Sequence, residues 1–342
     1  MSELQTKKST TVRSESREPK RHAGRVEARG SVRDRRKVAL ARLRLAVTWV
    51  QRVSPELAAR GLERVFLSPQ RHARPEHERG VFATAARSHT YYRGHRVPIY
   101  SWGRAGLPVV LFAHGWEGRA TQVAPYVEAL VQAGFQVVSY DTPGHGEAGR
   151  ALVSVLDFAG VAERVTRSLD GSVQAAIGHS AGAAALMLAV ARTPFTDRIV
   201  AIAPPQRPGA FLKRFAGWMA ASPATEQALS QRLQARYALP FHEIDSRHNV
   251  ARLRAEGLII HDRGDEDVPF AHGEAIARAW PNATLMPTEG LGHRRILRDA
   301  EVVRAVVEFV GPPRAVRSLD EAIGSELFDR ERRFGSADDT DR

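Results

Sequence analysis

Between about residue 82 and residue 310, short apolar runs of strand length alternate with longer segments whose apolar residues recur at helical spacing. The first part, Tyr91–Trp102, is typical of a hairpin with a glycine turn. Helices are predicted around Gln122–Gln132 and Ala151–Leu169. The other predicted strands are Leu107–Ala113, Phe135–Asp141, Val173–Ile177, Arg198–Ala203, and runs beginning at Gly257 and Ala283. This alternation predicts a mostly parallel sheet with helices on both faces, in which ligands bind beyond the carboxyl ends of the strands.

The N-terminal residues follow a different pattern. Residues 1–36 have almost no apolar side chains, so we expect a disordered basic tail. A helical segment is predicted over 37–80. In its first helix, Lys37–Val53, an apolar stripe is formed by Leu40, Leu43, Val47 and Val50. Ser54-Pro55 predicts the start of a second helix that ends near Phe66. We expect this pair to pack on the body of the domain, and the alternative is that the basic helix lies on a membrane surface.

Composition and charge narrow the possible functions. The chain has no cysteine, which excludes disulfides, thiolate metal sites and a cysteine nucleophile. Its net charge is +12, and residues 1–37 hold twelve Lys or Arg against five Asp or Glu. The basic tail therefore predicts at most a weak contact with anionic surfaces, with no specific signal for nucleic acid and no run that spans a bilayer. No apolar segment follows the basic start as in a secretory signal, and we expect a cytoplasmic protein.

The stretch Val173–Met187 combines an apolar run, a glycine-rich turn and a small-residue helix. The turn is Gly178-His179-Ser180-Ala181-Gly182. Glycines two positions either side of Ser180 meet the steric demand of a sharp strand-to-helix turn, which would expose the serine hydroxyl at the sheet edge. The N–H groups that begin the helix favour a developing negative charge nearby. The alternative is an ordinary turn, because glycine and serine are common turn residues.

A serine nucleophile needs a base and an orienting carboxylate, and two later stretches offer both. An acidic loop, Asp262–Pro269, follows one apolar run, and the glycine-flanked His293 follows the last one. The order Ser, Asp, His after successive strands resembles the α/β-hydrolase family. Two further segments resemble the family's oxyanion loop and its Asp-x-Pro-Gly-His-Gly turn, namely Leu111-Phe112-Ala113-His114-Gly115-Trp116 and Tyr140-Asp141-Thr142-Pro143-Gly144-His145-Gly146.

The resemblance implies an α/β-hydrolase fold over 81–313, with a mostly parallel central sheet, helices on both faces and a small helical cap at about 206–255. Most aromatic residues of the cap are expected to fill its own core, with one or two lining the pocket. Glu301–Val310 closes the domain, and 314–342 is a charged tail in which Ser318–Phe328 is compatible with a short amphipathic helix and Gly335 onward should be disordered.

The resemblance also assigns roles to residues. It implies Ser180 as nucleophile, His293 as base, and the backbone N–H groups of Trp116 and Ala181 as the oxyanion hole. Supporting roles fall to His114, Gly115, Gly178 and Gly182. Val268-Pro269 selects Asp265 as the acid by spacing, although Asp262 and Asp267 are close and Asp262 replaces the family's usual glycine. The competing histidines are His114, His145 and His179, which lie in motifs where the family uses histidine structurally, and His261, expected to be buried at a strand end.

The expected function is hydrolysis of a carboxylic ester of a small molecule through an acyl-enzyme. Thioesterase, peptidase and acyltransferase activities use the same three residues and remain alternatives. A non-catalytic ligand-binding protein on the same scaffold is a further alternative. No metal or organic cofactor is expected. His72 and His77 are predicted to lie in a charged loop and make a poor metal site without a third ligand.

Overall fold

A computed structural model describes residues 23–313, except for the side chains of residues 23–36 and of Pro208. Residues 1–22 and 314–342 lie outside the described residues, and so do the predictions for the start of the basic tail and for the charged C-terminal tail.

Eight strands form one sheet in the order β1-β2-β4-β3-β5-β6-β7-β8. The strands are β1 Ala86–Tyr92, β2 His95–Trp102, β3 Val109–Ala113, β4 Gln136–Tyr140, β5 Val173–His179, β6 Arg198–Ile202, β7 Glu256–Asp262 and β8 Ala283–Thr288. Strands β1 and β2 form an antiparallel hairpin, β2 pairs antiparallel with β4, and strands β3 to β8 are parallel. The predicted hairpin and the mostly parallel sheet are confirmed.

Twelve α-helices are present in the described part of the chain. They are α1 Ala23–Val53, α2 Pro55–Phe66, α3 Glu76–Thr84, α4 Ala124–Gln132, α5 Val155–Thr166, α6 Ala181–Arg192, α7 Pro208–Trp218, α8 Pro223–Tyr237, α9 Ser246–Val250, α10 Ala271–Ala279, α11 Gly292–Arg295 and α12 Ala300–Val310. Short 3₁₀ turns cover Ala120–Val123, Phe241–Ile244 and Ile296–Arg298.

The parallel strands are apolar on both faces because helices cover both sides of the sheet. All five residues of β3 are buried. Its alternate residues Val110 and Phe112 pack in a core that includes α4 and α12, whereas Leu111 and Ala113 pack in a core that includes α5 and α6. A strand that is buried on both faces has no polar alternation, so these segments appear in the sequence as continuous apolar runs.

The N-terminal helices pack on the helices that follow β6 rather than on the sheet. Val47 of α1 and Leu62 of α2 share an apolar core with Leu212, Leu229 and Leu233 of α7 and α8. The Glu63 carboxylate pairs with Arg232 at 2.5 Å, and Gln51 Nε2 donates to the Ala220 carbonyl at 3.1 Å. We call α1, α2, α7 and α8 the roof, and the carboxyl ends of the parallel strands with their loops the floor.

Three predictions about the N-terminal region need correction. Helix α1 begins at Ala23, so residues 23–36 of the predicted disordered tail are helical in the structure. The compositional argument for disorder did not weigh helix propensity, which is high for the alanines and arginines here. Val50 is exposed, because Gln51 rather than Val50 continues the buried stripe. Helix α3 lies where a charged loop was expected.

Among residues 23–313, no helix combines the length and the apolar composition that a bilayer-spanning segment needs.

Candidate active site

The turn at Ser180 joins β5 directly to α6. Ser180 has φ 51° and ψ −119°, a strained region for a residue with a side chain. Its N–H donates to the Ile202 carbonyl at 2.8 Å, which fixes the turn to the end of β6. A Cβ on Gly178 would lie 2.5 Å from Ala183 Cα, and one on Gly182 would lie 2.3 Å from the Ala113 carbonyl oxygen. Both positions therefore require glycine.

The loop after β3 lies against this turn. A Cβ on Gly115 would lie 2.8 Å from His179 Nδ1 and 3.3 Å from Ser180 Cβ, so glycine lets the loop approach the turn this closely without a shift of the His179 side chain. Ala181 is the first residue of α6, where the N–H has no partner within the helix. Trp116 and Ala181 line the same cavity as Ser180. The chain thus places the two predicted oxyanion-hole residues beside the serine.

Two buried histidines, His114 and His145, contact this loop through a hydrogen bond and ring packing. His114 Nε2 accepts the Thr142 N–H at 3.1 Å, which leaves Nδ1–H to donate to the Gly115 carbonyl at 2.8 Å. Burial lowers the pKa of His114 to about 4. His145 packs edge-on against Trp116, and burial lowers its pKa to about 3. Both rings are therefore neutral near pH 7 and serve as hydrogen-bonding and packing groups, as expected for His114 and His145.

Asp265 and His293 are in direct contact. His293 Nδ1 lies 2.7 Å from Asp265 Oδ2, and the Asp265 side chain is fully buried. The other carboxylate oxygen accepts the N–H groups of Asp267 at 2.9 Å and Val268 at 2.8 Å. Desolvation raises the pKa of Asp265, but the His261 ring nitrogen 3.5 Å away and the hydrogen bonds from His293 and Val268 outweigh it and hold the pKa below its usual value. Asp265 is accordingly ionised and orients the imidazole.

Asp262 has a different set of contacts. Its Oδ2 accepts the Thr288 hydroxyl and the Leu291 N–H, both at 2.9 Å, and its Oδ1 accepts the Gly264 N–H at 3.0 Å. Desolvation raises its pKa, but these hydrogen bonds outweigh that effect and lower it. Asp262 thus joins the loop that carries Asp265 to the loop that carries His293. The sequence signalled this role only through an unexpected carboxylate at a position where glycine was expected.

The histidine loop has a second support that sequence reasoning did not identify. His179 Nε2–H donates to the main-chain carbonyl of His293 at 2.9 Å, and the two rings lie 4.8 Å apart. Burial lowers the pKa of His179 to about 3, so the ring is neutral. His261 is buried as expected, and its Nε2–H donates to the Val268 carbonyl at 2.9 Å. His261 therefore supports the acid loop, and His179 supports the base loop.

Ser180 and His293 border one cavity of about 1350 Å³ between floor and roof. Within residues 23–313, no hydrogen bond joins the Ser180 hydroxyl to His293. Such bonds are often long in a free enzyme and tighten when substrate binds. The sequence-predicted residues Ser180, Asp265 and His293 therefore meet at one place, with the Asp–His contact formed and the Ser–His contact open.

The roof gives the cavity an apolar wall. Among the aromatic residues that line the cavity, Phe66 belongs to α2, whereas Phe211, Phe215, Trp218, Tyr237 and Phe241 belong to the predicted cap. The expectation that only one or two cap aromatics would line the cavity was wrong, because α1 and α2 supply residues such as Val47 and Leu62 to fill the core of α7 and α8. The lining of the cavity also contains the buried ion pair between Arg119 and Glu78, at 3.2 Å.

His72 pairs with a loop residue rather than with His77. His72 Nε2 lies 3.2 Å from the Glu117 carboxylate, which also accepts the Gln70 N–H at 3.1 Å. These contacts tie the chain after α2 to the residue that follows Trp116. In the part of the chain that the structure describes, no group of three or more His, Asp or Glu side chains is arranged to hold a metal ion.

Comparison with known proteins relates this geometry to a family. The sequence model of the alpha/beta hydrolase family matches residues 110–305, which include Ser180, Asp265 and His293. No curated protein sequence matches the chain.

Solved structures of similar fold include three with different activities in their names. A hydrolase from Pseudomonas aeruginosa PA01 is 18% identical with TM-score 0.53, over 66% of this chain and 98% of that one. An enzyme that degrades N-acyl homoserine lactones is 15% identical with TM-score 0.52, over 65% and 100%. The thioesterase domain of the curacin biosynthetic pathway is 15% identical with TM-score 0.50, over 66% and 99%. At these identities the similarity establishes the fold alone.

Proposed function

The chain belongs to the alpha/beta hydrolase family, and on this basis we propose that it is a serine hydrolase that cleaves carboxylic esters of small molecules. The observation that carries the proposal is the 2.7 Å contact between Asp265 and His293, in a cavity that Ser180 also borders. Nucleophile, base and orienting acid are the three groups that ester cleavage through an acyl-enzyme requires.

The first half of the reaction forms the acyl-enzyme. The Ser180 hydroxyl oxygen bonds to the ester carbonyl carbon while His293 Nε2 takes the hydroxyl proton. The tetrahedral intermediate then expels the alkoxide, which leaves as the alcohol with the proton from His293. In the second half, water attacks the acyl carbon with His293 again as base, and the acid is released with Ser180 restored.

Asp265 determines which imidazole nitrogen of His293 is free to accept the Ser180 proton. Its carboxylate accepts Nδ1–H, so Nε2 carries the lone pair that removes the serine proton. The low pKa of Asp265 keeps it ionised and able to stabilise the imidazolium that forms.

The developing oxyanion would be held by the N–H groups of Trp116 and Ala181. Both residues line the cavity beside Ser180, and Ala181 opens a helix of twelve residues whose N-terminus favours negative charge. One such donor contributes about 3 kcal/mol to the transition state in other serine enzymes. The site needs no cofactor for this chemistry.

Thioester cleavage, amide cleavage and acyl transfer would use the same residues, and one solved structure of similar fold is a thioesterase domain. We place ester cleavage above amide cleavage because an alkoxide is a better leaving group than an amide nitrogen, and we keep thioester cleavage as the nearest alternative. In the same proposal, the hydrolase domain covers residues 81–313 with a cap at about 206–255, and the protein acts in the cytoplasm.

The test is labelling with a fluorophosphonate probe, with wild type beside Ser180→Ala, and hydrolysis of p-nitrophenyl esters of increasing acyl length. We expect labelling and turnover in wild type only. A folded wild type that neither reacts with the probe nor cleaves any ester would support the alternative of a ligand-binding protein on the hydrolase scaffold.

A further inference from the structure

Helix α1 has two apolar faces, and only one of them is covered. The inner face includes Leu40, Leu43 and Val47, which pack in the roof core. At 100° per residue, Val38, Leu45, Trp49 and Val53 lie on the opposite side. Their exposed fractions are 50%, 59%, 59% and 85%. Exposed apolar residues scattered singly need no explanation, but four on one stripe of one helix do.

Basic residues accompany this stripe. Arg42 and Arg52 lie on the same side of the helix as Trp49, and the Arg52 guanidinium stands 4.7 Å from the centre of the Trp49 ring. Residues 37–53 contain four Lys or Arg and no Asp or Glu. We call Val38, Arg42, Leu45, Trp49, Arg52 and Val53 the outer face of α1.

We propose that the outer face of α1 binds the surface of a bilayer that contains anionic lipids, with the helix axis parallel to that surface. Leucine, valine and tryptophan enter the boundary between headgroups and acyl chains, while arginines at the same depth pair with lipid phosphates. The inner face already holds the helix in the folded roof through Gln51 and Val47. Binding therefore carries no cost of ordering the helix, unlike the binding of a disordered basic segment.

Charge favours this occupant over a second copy of the chain. A dimer through the outer face would place Arg42 and Arg52 of one copy against the same residues of the other, and 37–53 offers no carboxylate to neutralise them. Residues 314–342 are a second possible occupant. They contain eight Asp or Glu against six Lys or Arg, and a wild type that binds neither kind of vesicle would leave them as the candidate occupant.

The experiment is flotation of the full chain with vesicles of phosphatidylcholine alone and of phosphatidylcholine mixed with phosphatidylglycerol. We expect binding to the mixed vesicles, little binding to phosphatidylcholine, and release in high salt because exposed charges are screened. The double variant Leu45→Ser/Trp49→Ser leaves the charge unchanged and should weaken binding about tenfold or more, since it removes most of the apolar area that is buried in the interface.

The matched control is Tyr91→Ser. Like Trp49, Tyr91 is an exposed aromatic residue, with an exposed fraction of 57%, but it lies on β1. It should bind like wild type. Thermal unfolding followed by circular dichroism checks the fold of each variant. If the double variant proves unstable, Arg42→Gln/Arg52→Gln serves instead. It should reduce binding to the vesicles that contain phosphatidylglycerol and leave binding to phosphatidylcholine vesicles unchanged.

Three results would overturn the proposal. One is a wild type that ignores both kinds of vesicle. Another is a folded double variant that binds like wild type, because the basic residues before Lys37 would then account for binding without the outer face. The third is a wild type that sediments as a dimer and a double variant that sediments as a monomer, which would make the outer face an interface between copies.

Discussion

The floor and the roof of the cavity are built in different ways. The floor gathers Ser180, Asp265 and His293 from the carboxyl ends of the parallel strands β5, β7 and β8, and short loops with glycine at contact points fix it. The roof is held by side-chain packing between helices from two distant parts of the chain. The floor therefore tolerates almost no change of backbone, whereas the roof can vary in shape as long as its apolar volume is kept. The proposed chemistry lies in the rigid part and the proposed choice of substrate in the adaptable part.

The largest effect is expected in the floor, at the acid. Asp265→Asn should lower kcat/KM for p-nitrophenyl acetate by about 10⁴-fold, because the amide cannot hold the tautomer that leaves Nε2 free. Asp262→Asn should cost about 10- to 100-fold, since it weakens the link between the acid loop and the Leu291 N–H without touching the imidazole. Asp267→Asn is the matched control and should be close to wild type. If Asp262→Asn cost more than Asp265→Asn, the assignment of the acid would be reversed.

Acid should destabilise the protein through three buried histidines of the floor. Burial lowers the pKa of His114 to about 4 and of His145 and His179 to about 3. Below pH 6.5 these histidines become protonated in the unfolded chain but stay neutral in the native state. Their contribution to the free energy of unfolding is therefore fully present above pH 6.5 and is lost as pH falls toward 4. Each ring should cost about 2 kcal/mol between pH 7 and pH 5.

Urea unfolding at pH 7, 6 and 5 measures this loss. Asp262 and Asp265 do not confound it, because their lowered pKa values contribute stability that is lost only below about pH 4. Replacement of His145 by glutamine should reduce the slope of the unfolding free energy against pH by the amount that corresponds to one proton. A stability that stays constant from pH 7 to pH 5 would contradict the neutral, buried state of all three rings.

A glycine in each region gives the next contrast. Gly182→Ala should lower the free energy of unfolding by about 3 kcal/mol, because the new methyl group meets main-chain oxygens of Ala113 and His114 that cannot move. Gly61→Ala, in α2 of the roof, meets nothing within 4 Å and should raise it by about 0.5–1 kcal/mol through helix propensity. Urea unfolding of both variants checks the pair. Equal effects of the same sign would remove the distinction between the rigid floor and the adaptable roof.

The smallest effect is expected in the roof, on substrate preference. Phe215 lines the cavity and packs on Phe66 at a ring distance of 5.1 Å. Phe215→Ala should raise KM a few-fold for the longest p-nitrophenyl esters and leave kcat for the acetate unchanged, because a short acyl group does not reach the roof. The chain-length series measures this shift. A uniform fall of kcat at every chain length would instead show that Phe215 supports the catalytic residues of the floor.

The parts of the site that depend on local backbone geometry could be predicted from the sequence. Gly178, Ser180 and Gly182 form such a case, since the steric demand of the turn acts over five residues. The parallel direction of strands β3 to β8 was likewise predicted from the alternation of apolar runs and helical segments. Spacing to Val268-Pro269 also selected, among three aspartates, the one that contacts His293.

Contacts between distant segments could not be predicted beyond those that the family resemblance implied. The bond from His179 to the His293 carbonyl joins residues that only the assembled sheet brings together. Helix α3 has a charged sequence typical of a loop, but its buried Glu78 accepts from Arg119 and Thr121, which follow three strands later in the chain. Tertiary contact thus overrides the local pattern. The number of cap aromatics that face the cavity depended on α1 and α2 in the same way.

The shared core of the roof has a consequence for synthesis of the protein on the ribosome. Val47 and Leu62 emerge early, whereas their partners Leu212 and Leu233 are about 150 to 190 residues later, a delay of roughly 10–40 s at ordinary translation rates. During that interval the apolar side of α1 and α2 has no native partner. The nascent chain should therefore carry a segment that chaperones bind until the second pair of helices has been made.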